Sequence, residues 1–197
     1  SHPEMPLPVE EISAAAERCE TAVVLIGRAA GEDRDSKLAE GSFYLTKEEE
    51  ELLIRVKHAF SKTIVVLNIG SVADFSWSET TAPSALLVVW QGGMESGNAL
   101  ADILTGKSEP GGRLTDTVAR HYGDYPSSSC FGNAKYNFYK EDIYVGYRCF
   151  ETFSPEKVLF PFGYGLGYTS FGIVAESVSF DGGKVSVTAK VTNTGKR

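Results

Sequence analysis

Two groups of carboxylates in this chain have surroundings suited to acid–base chemistry. Glu141 and Asp142 close a long polar stretch and lead directly into the aromatic run Ile143-Tyr144-Val145-Gly146-Tyr147-Arg148. A carboxylic acid set among aromatic rings is desolvated, which raises its pKa toward the range useful to a general acid. By composition alone Glu141 reads first as a surface residue. Glu32, Asp33 and Asp35 follow on an apolar run, with Arg28 and Arg34 among them. That pattern also suits a solvated network of loop salt bridges.

Other chemistries fit poorly. The segment 91–97 (QGGMESG) follows an apolar run and opens a helical pattern, the place where anions bind. It is neither G-x-G-x-x-G nor G-x-x-x-x-G-K-[ST], and tight packing of helix on sheet accounts for its glycines. It is not the G-x-S-x-G elbow of an esterase either. His2, His58 and His121 are scattered, without zinc-ligand spacing. Cys19, Cys130 and Cys149 form no C-x-x-C and read as reduced thiols, which favours a reducing compartment, a bacterial cytoplasm for instance.

The elements that must position these residues read as α/β. Three apolar, β-branched runs, 21–27 (TAVVLIG), 63–69 (TIVVLNI) and 84–90 (SALLVVW), have the character of strands buried on both faces of a parallel sheet. Helices are predicted over 9–19, from Thr46 through Phe60, and over 94–104. Thr46 is a good N-cap, followed by Glu48, Glu49 and Glu50 where the helix dipole favours acids. Strands alternating with helices imply a sheet covered on both sides, a three-layer sandwich with its Gly-rich loops at the carboxyl ends of the strands, where ligands sit. Residues 113–118 suggest a short edge strand. Residues 121–139 have little periodicity and few apolar anchors, and a loop of that length is usually functional or disordered. From Ile173 the texture becomes all-β, with a hairpin turning at Asp181-Gly182-Gly183. Two strands are marginal alone, so we expect a boundary after residue 172 and the opening of a further β domain over 173–197.

The bulk properties agree with a globular domain. The chain has 197 residues, 42% of them hydrophobic and 23% charged. Its net charge of −7, with no Lys/Arg block, argues against a nucleic-acid partner. No apolar run reaches the roughly 18 residues that span a bilayer, so a membrane partner is not expected either.

Seven runs, in order, resemble the second domain of family 3 glycoside hydrolases of the β-glucosidase type: 22–32 (AVVLIGRAAGE), 63–70 (TIVVLNIG), 86–97 (LLVVWQGGMESG), 98–106 (NALADILTG), 110–114 (PGGRL), 139–148 (YKEDIYVGYR) and 160–171 (FPFGYGLGYTSF). The resemblance covers nearly the whole chain. It implies an α/β sandwich over 1–172 and the first strands of a fibronectin type III-like domain over 173–197. It also implies a barrel domain elsewhere that supplies an aspartate nucleophile. The substrate it implies is an oligosaccharide or an aryl or alkyl β-glycoside, with no metal or organic cofactor. In many such enzymes the acid/base is the Glu of Tyr-x-Glu-(Gly/Asp), ahead of an aromatic strand and a Tyr-Arg pair. Here that run is Tyr139-Lys140-Glu141-Asp142, followed by Tyr147-Arg148, and the match falls on Glu141. The family loop G-E-G-x-D-R is matched in part, by Glu32 and Asp35, which become weaker candidates for the site edge. The competing class is a non-catalytic carbohydrate-binding or interaction module on the same fold. Such a module need not keep a carboxylate at position 141.

Overall fold

The computed structural model describes residues 6–28, 36–133, 135, 136 and 138–196. Its elements are α1 (Val9–Ala16), β1 (Thr21–Gly27), α2 (Lys47–Ala59), β2 (Lys62–Asn68), α3 (Trp77–Thr81), β3 (Ala85–Val88), α4 (Ser96–Leu104), β4 (Val118–Ala119), α5 (Tyr147–Phe153), β5 (Val158–Phe160), β6 (Phe171–Asp181) and β7 (Lys184–Asn193). Strands β1, β2 and β3 form one parallel sheet in that order, as their apolar runs predict.

Register decides which side chains share a face. Val24 pairs with Val65 and Ile26 with Leu67, while Val65 pairs with Leu86 and Leu67 with Val88. This face carries the core, joined by Ile12 of α1, Leu53 and Val56 of α2, and Phe75, Trp77 and Val118. On the opposite face Leu25 pairs with Val66 and Val66 with Leu87. There Leu87 and Val89 share a pocket with Ala99, Leu100 and Ile103 of α4, so helices flank both sides of the sheet. That second layer is partial, because Val23 and Leu25 remain 51% and 56% exposed.

The carboxyl end of β1 is fixed by a polar lock. Thr46 caps α2 and takes part in a capping box, its Oγ1 accepting from Glu49 N–H while Glu49 Oε2 accepts from Thr46 N–H at 2.8 Å. The same carboxylate receives two Arg28 N–H groups, each at 2.6 Å. The other Arg28 donors reach the carbonyls of Gly27, Ser42 and Tyr44. All five guanidinium donors are thus satisfied. Both side chains are nearly excluded from water, at 13% and 4% exposure.

Several boundaries differ from expectation. α1 stops at Ala16, three residues before Cys19. β3 ends at Val88 because Trp90 turns the chain with a φ of +49. α4 starts at Ser96, since residues 93–96 form a turn in which Ser96 N–H donates to Gly93 C=O. Residues 113–118 are not an edge strand of the parallel sheet. Leu114 instead exchanges backbone hydrogen bonds with Gly163 and Tyr164, and only Val118–Ala119 is extended, paired antiparallel to β5 in a separate two-stranded sheet. The aromatic run 143–148 is not a strand either, because Gly146, at φ +60, ends it and α5 begins at Tyr147. The hairpin starts at Phe171, two residues before Ile173, and turns on Gly182 and Gly183, at φ +53 and +92. Two positive-φ residues suit the right-handed twist of a two-residue hairpin loop. A bulge between Ala175 and Ser177 shifts the alternation, so Ile173, Ala175, Val178 and Phe180 stay on one face opposite Val191, Ala189, Val187 and Val185. Much of that face is exposed.

Removing one partner of a buried ion pair strands the other charge. Glu49→Ala is expected to lower the unfolding free energy by about 3–5 kcal/mol. Arg28→Lys, with three donors in place of five, should also be destabilising, and urea unfolding of the two variants beside the parent chain measures both.

Candidate active site

Parallel strands bring their carboxyl ends to one edge, and the segments beginning at Arg28, Ile69 and Val89 leave the sheet there. Residues 29–35, including Glu32 and Asp35, lie outside the described residues. Their flanks are tied: Arg28 by the lock above, and Ser36 through a 2.8 Å hydrogen bond between its hydroxyl and that of Ser71, just beyond β2. At the same edge Phe43, beside the carbonyl that Arg28 holds, packs edge-on against Tyr122 with ring centroids 5.4 Å apart.

Tyr122 and Tyr125 anchor the start of the irregular stretch, which thus has more apolar support than its composition predicts. Tyr125 packs edge-on against Phe150 at 5.9 Å, and its hydroxyl accepts the N–H of Ala119 at 3.0 Å. Phe150 is 2% exposed and fastens α5 to the body of the domain. Farther along, Tyr136 and Phe138 stack on each other with centroids 6.2 Å apart, while Phe131 and Tyr139 stand exposed. Lys140 Nζ donates to Ser129 Oγ across this stretch.

Glu141 sits between these supports. Its carbonyl accepts Tyr144 N–H at 2.8 Å, closing a tight turn over Asp142 and Ile143. Glu141 is half-buried, whereas Tyr139, Ile143 and Tyr144 are themselves exposed. The aromatic neighbours therefore do not close over the carboxylate in this chain. Among the described residues no hydrogen bond or ion pair reaches it, so it is free to engage something outside. After the turn, Tyr144 packs edge-on against Phe153 at 4.8 Å, and Tyr147 stacks on Phe162 at 4.7 Å with the Arg148 guanidinium over its ring. Among the described residues no group of His, Cys, Asp and Glu has metal-site geometry, and no described helix is long and apolar enough to cross a membrane.

Two features of this region are not evident from residue type. Tyr125 reads as one of several loop tyrosines until its ring is seen against Phe150. The left-handed backbone of Asp142, at φ +49, has only a weak signal, the tolerance of Asp for that conformation.

A three-stranded parallel sheet flanked by helices, with an antiparallel hairpin at its end, defines an α/β domain. The profile of the glycosyl hydrolase family 3 C-terminal domain matches residues 7–168, and the chain belongs to that family. A β-glucosidase of Ruminococcus albus is 46% identical over 192 residues, a span that takes in 98% of this chain and 20% of that enzyme. The structure of a β-glucosidase from Paenibacillus barengoltzii superposes with a TM-score of 0.94 at 46% identity, covering 99% of this chain and 22% of that one. β-Glucosidase 3B of Thermotoga neapolitana, in complex with α-D-glucose, superposes at 0.87 with 40% identity, covering 99% and 28% respectively. The chain thus spans between a fifth and a third of the length of these relatives.

Burial pushes the Tyr125 phenol above its ordinary 10.0; the hydrogen bond from Ala119 opposes this, and the charges of Asp116, Asp74 and Asp124 add to it. The folded chain therefore keeps this proton to higher pH than the unfolded chain. The associated stability is complete below pH 10.0 and is lost as pH rises through the folded value. Unfolding free energy should fall on titration above that pH, and Tyr125→Phe should flatten the fall.

Proposed function

We propose that this chain is the segment of a retaining β-glycosidase, of the β-glucosidase type, that contributes the acid/base, and that Glu141 is that residue. The observation that carries the reading is the placement of Glu141. Of the two carboxylates in the Tyr139-Lys140-Glu141-Asp142 run, the one at the family's Glu position is held on a constrained turn, half-buried, with no protein partner among the described residues. The relatives are named β-glucosidases, which supports a β-glucoside substrate; we take it to be a terminal β-D-glucosyl residue on an oligosaccharide or an aryl or alkyl aglycone.

In this mechanism Glu141 protonates the departing glycosidic oxygen while a nucleophilic aspartate attacks the anomeric carbon from the opposite face. Glu141 then takes a proton from water, which opens the glycosyl–enzyme ester. The two carboxyl groups must stand about 5–5.5 Å apart. We assign the aspartate to a barrel domain that this chain does not contain, and that barrel is the partner against which the exposed aromatic stretch around Glu141 would lie. The half-covered sheet face at Val23 and Leu25 and the apolar face of the hairpin fit a segment that works inside a larger protein. We place the boundary between the sandwich and the further β domain near residue 172.

Two outcomes follow. The 197-residue chain, freed of host enzyme, should not turn over an aryl β-glucoside, and measurable turnover would refute the division of roles. In the complete enzyme, Glu141→Ala should lower kcat by roughly 10²–10⁴-fold on a substrate with a poor leaving group. A substrate with an activated leaving group should lose far less in glycosylation, and azide should restore its turnover. Equal losses on both substrates without azide rescue would make Glu141 structural.

A further inference from the structure

Asp142 has a backbone that its neighbours do not share. Its φ is +49, and among the described residues only Ala82 and Trp90 are also non-glycine residues at positive φ. A side chain with a Cβ enters this region at a cost that glycine does not bear, and Asp and Asn tolerate it better than alanine or branched residues. Such conformations persist only where surrounding structure over-determines them, and they gather at functional sites. The Asp142 side chain is exposed, and no hydrogen bond or ion pair among the described residues reaches it. Its distinctive property is therefore the turn it makes.

The turn is held at both ends. Upstream, Lys140 N–H donates to Phe138 C=O at 3.0 Å and its ammonium reaches Ser129. Downstream, Gly146, at φ +60 and ψ −126, adopts a backbone open essentially to glycine and starts α5. Phe150 then fixes α5 against Tyr125, which is held in turn by Ala119. Positions 142 and 146 thus bracket residues 143–145, and Glu141 C=O closes the bracket by accepting Tyr144 N–H. If residue 142 relaxed to right-handed φ, near −60, the chain would swing roughly 110° about one bond, and Glu141 would no longer point where it does.

We propose that Asp142 is a positioning residue for the Glu141 carboxylate, acting through its left-handed backbone and not through its own carboxylate. The inference rests on the reading of Glu141 as the acid/base.

The test replaces Asp142 with Gly, Asn, Ala and Val in the complete enzyme, beside Glu141→Ala. Each variant is assayed on an alkyl β-glucoside, whose leaving group needs a proton, and on a dinitrophenyl β-glucoside, whose leaving group does not. On the alkyl substrate kcat/KM should fall in the order Gly, Asn, Ala, Val, with Val lower by about 10- to 100-fold. On the dinitrophenyl substrate kcat/KM, which reports glycosylation, should stay within about threefold across the series, because general-acid help is not required there. On that substrate kcat and KM of the Val variant should fall together as deglycosylation loses its base, and azide should raise its kcat. If Asp142→Val does not fold, as judged by its thermal transition, Gly against Ala on the alkyl substrate decides. A series whose kcat/KM is flat on the alkyl substrate, or falls equally on both substrates, overturns the inference. Should it do so while Glu141→Ala still shows the leaving-group split, the acid/base reading stands alone. Loss of the split in Glu141→Ala removes that reading itself.

Discussion

The Arg28–Glu49 pair is the constraint on which the carboxyl edge of the sheet depends. A strand can end in many ways, and α2 can start in many ways, but a bidentate ion pair excluded from water tolerates little displacement. Glu49 is at once the third residue of α2, the acceptor for the N-cap Thr46 and the anchor for Arg28. Arg28 then reaches the carbonyls of Ser42 and Tyr44, which carry Phe43 toward Tyr122. One carboxylate thereby couples the end of β1, the start of α2, the turn before it and the first anchor of the irregular stretch. Breaking such a pair costs more than making it yields, because the surviving charge is left in a dry site.

The rest of the body uses cheaper means. Register places Val24, Ile26, Val65 and Leu67 on one face, and α1 and α2 cover it by burying apolar area. The other face is half finished, with α4 near β3 and open ground over β1. The hairpin has the same character, an apolar ladder kept in phase across a bulge and facing solvent. Surfaces of this kind fit a segment that spans 20% of a relative's length.

The region around Glu141 is built differently again. Its precision comes from backbone geometry at positions 142 and 146 and from one buried ring, Phe150, and not from a polar cage around the carboxylate. Under the proposed role of Glu141 as acid/base, a fixed position and an open carboxylate suit proton exchange in each turnover better than a permanent ion partner would.

The sequence by itself determined the parallel three-stranded sheet, the capped α2, the glycine hairpin and the family, because these rest on local signals: continuous β-branched runs, Thr46 with Glu49 three residues on, Gly-Gly between alternating strands, and motifs in order. The aromatic surroundings pointed to Glu141 and Asp142 together, and resemblance alone chose Glu141 between them. Tertiary structure decided what depends on distant partners. Residues 113–118 have the composition of a strand, yet Leu114 is claimed by the turn at 163–164 and only two residues extend toward β5. The run 143–148 has the aromatic content of a strand, yet Gly146 breaks it and the burial of Phe150 favours a helix. Glu49 reads as one of four acids at a helix start, and only the arrival of Arg28 from 21 residues away makes it the one that is buried. Composition reports what a residue prefers, whereas burial and pairing depend on which chain segments meet it.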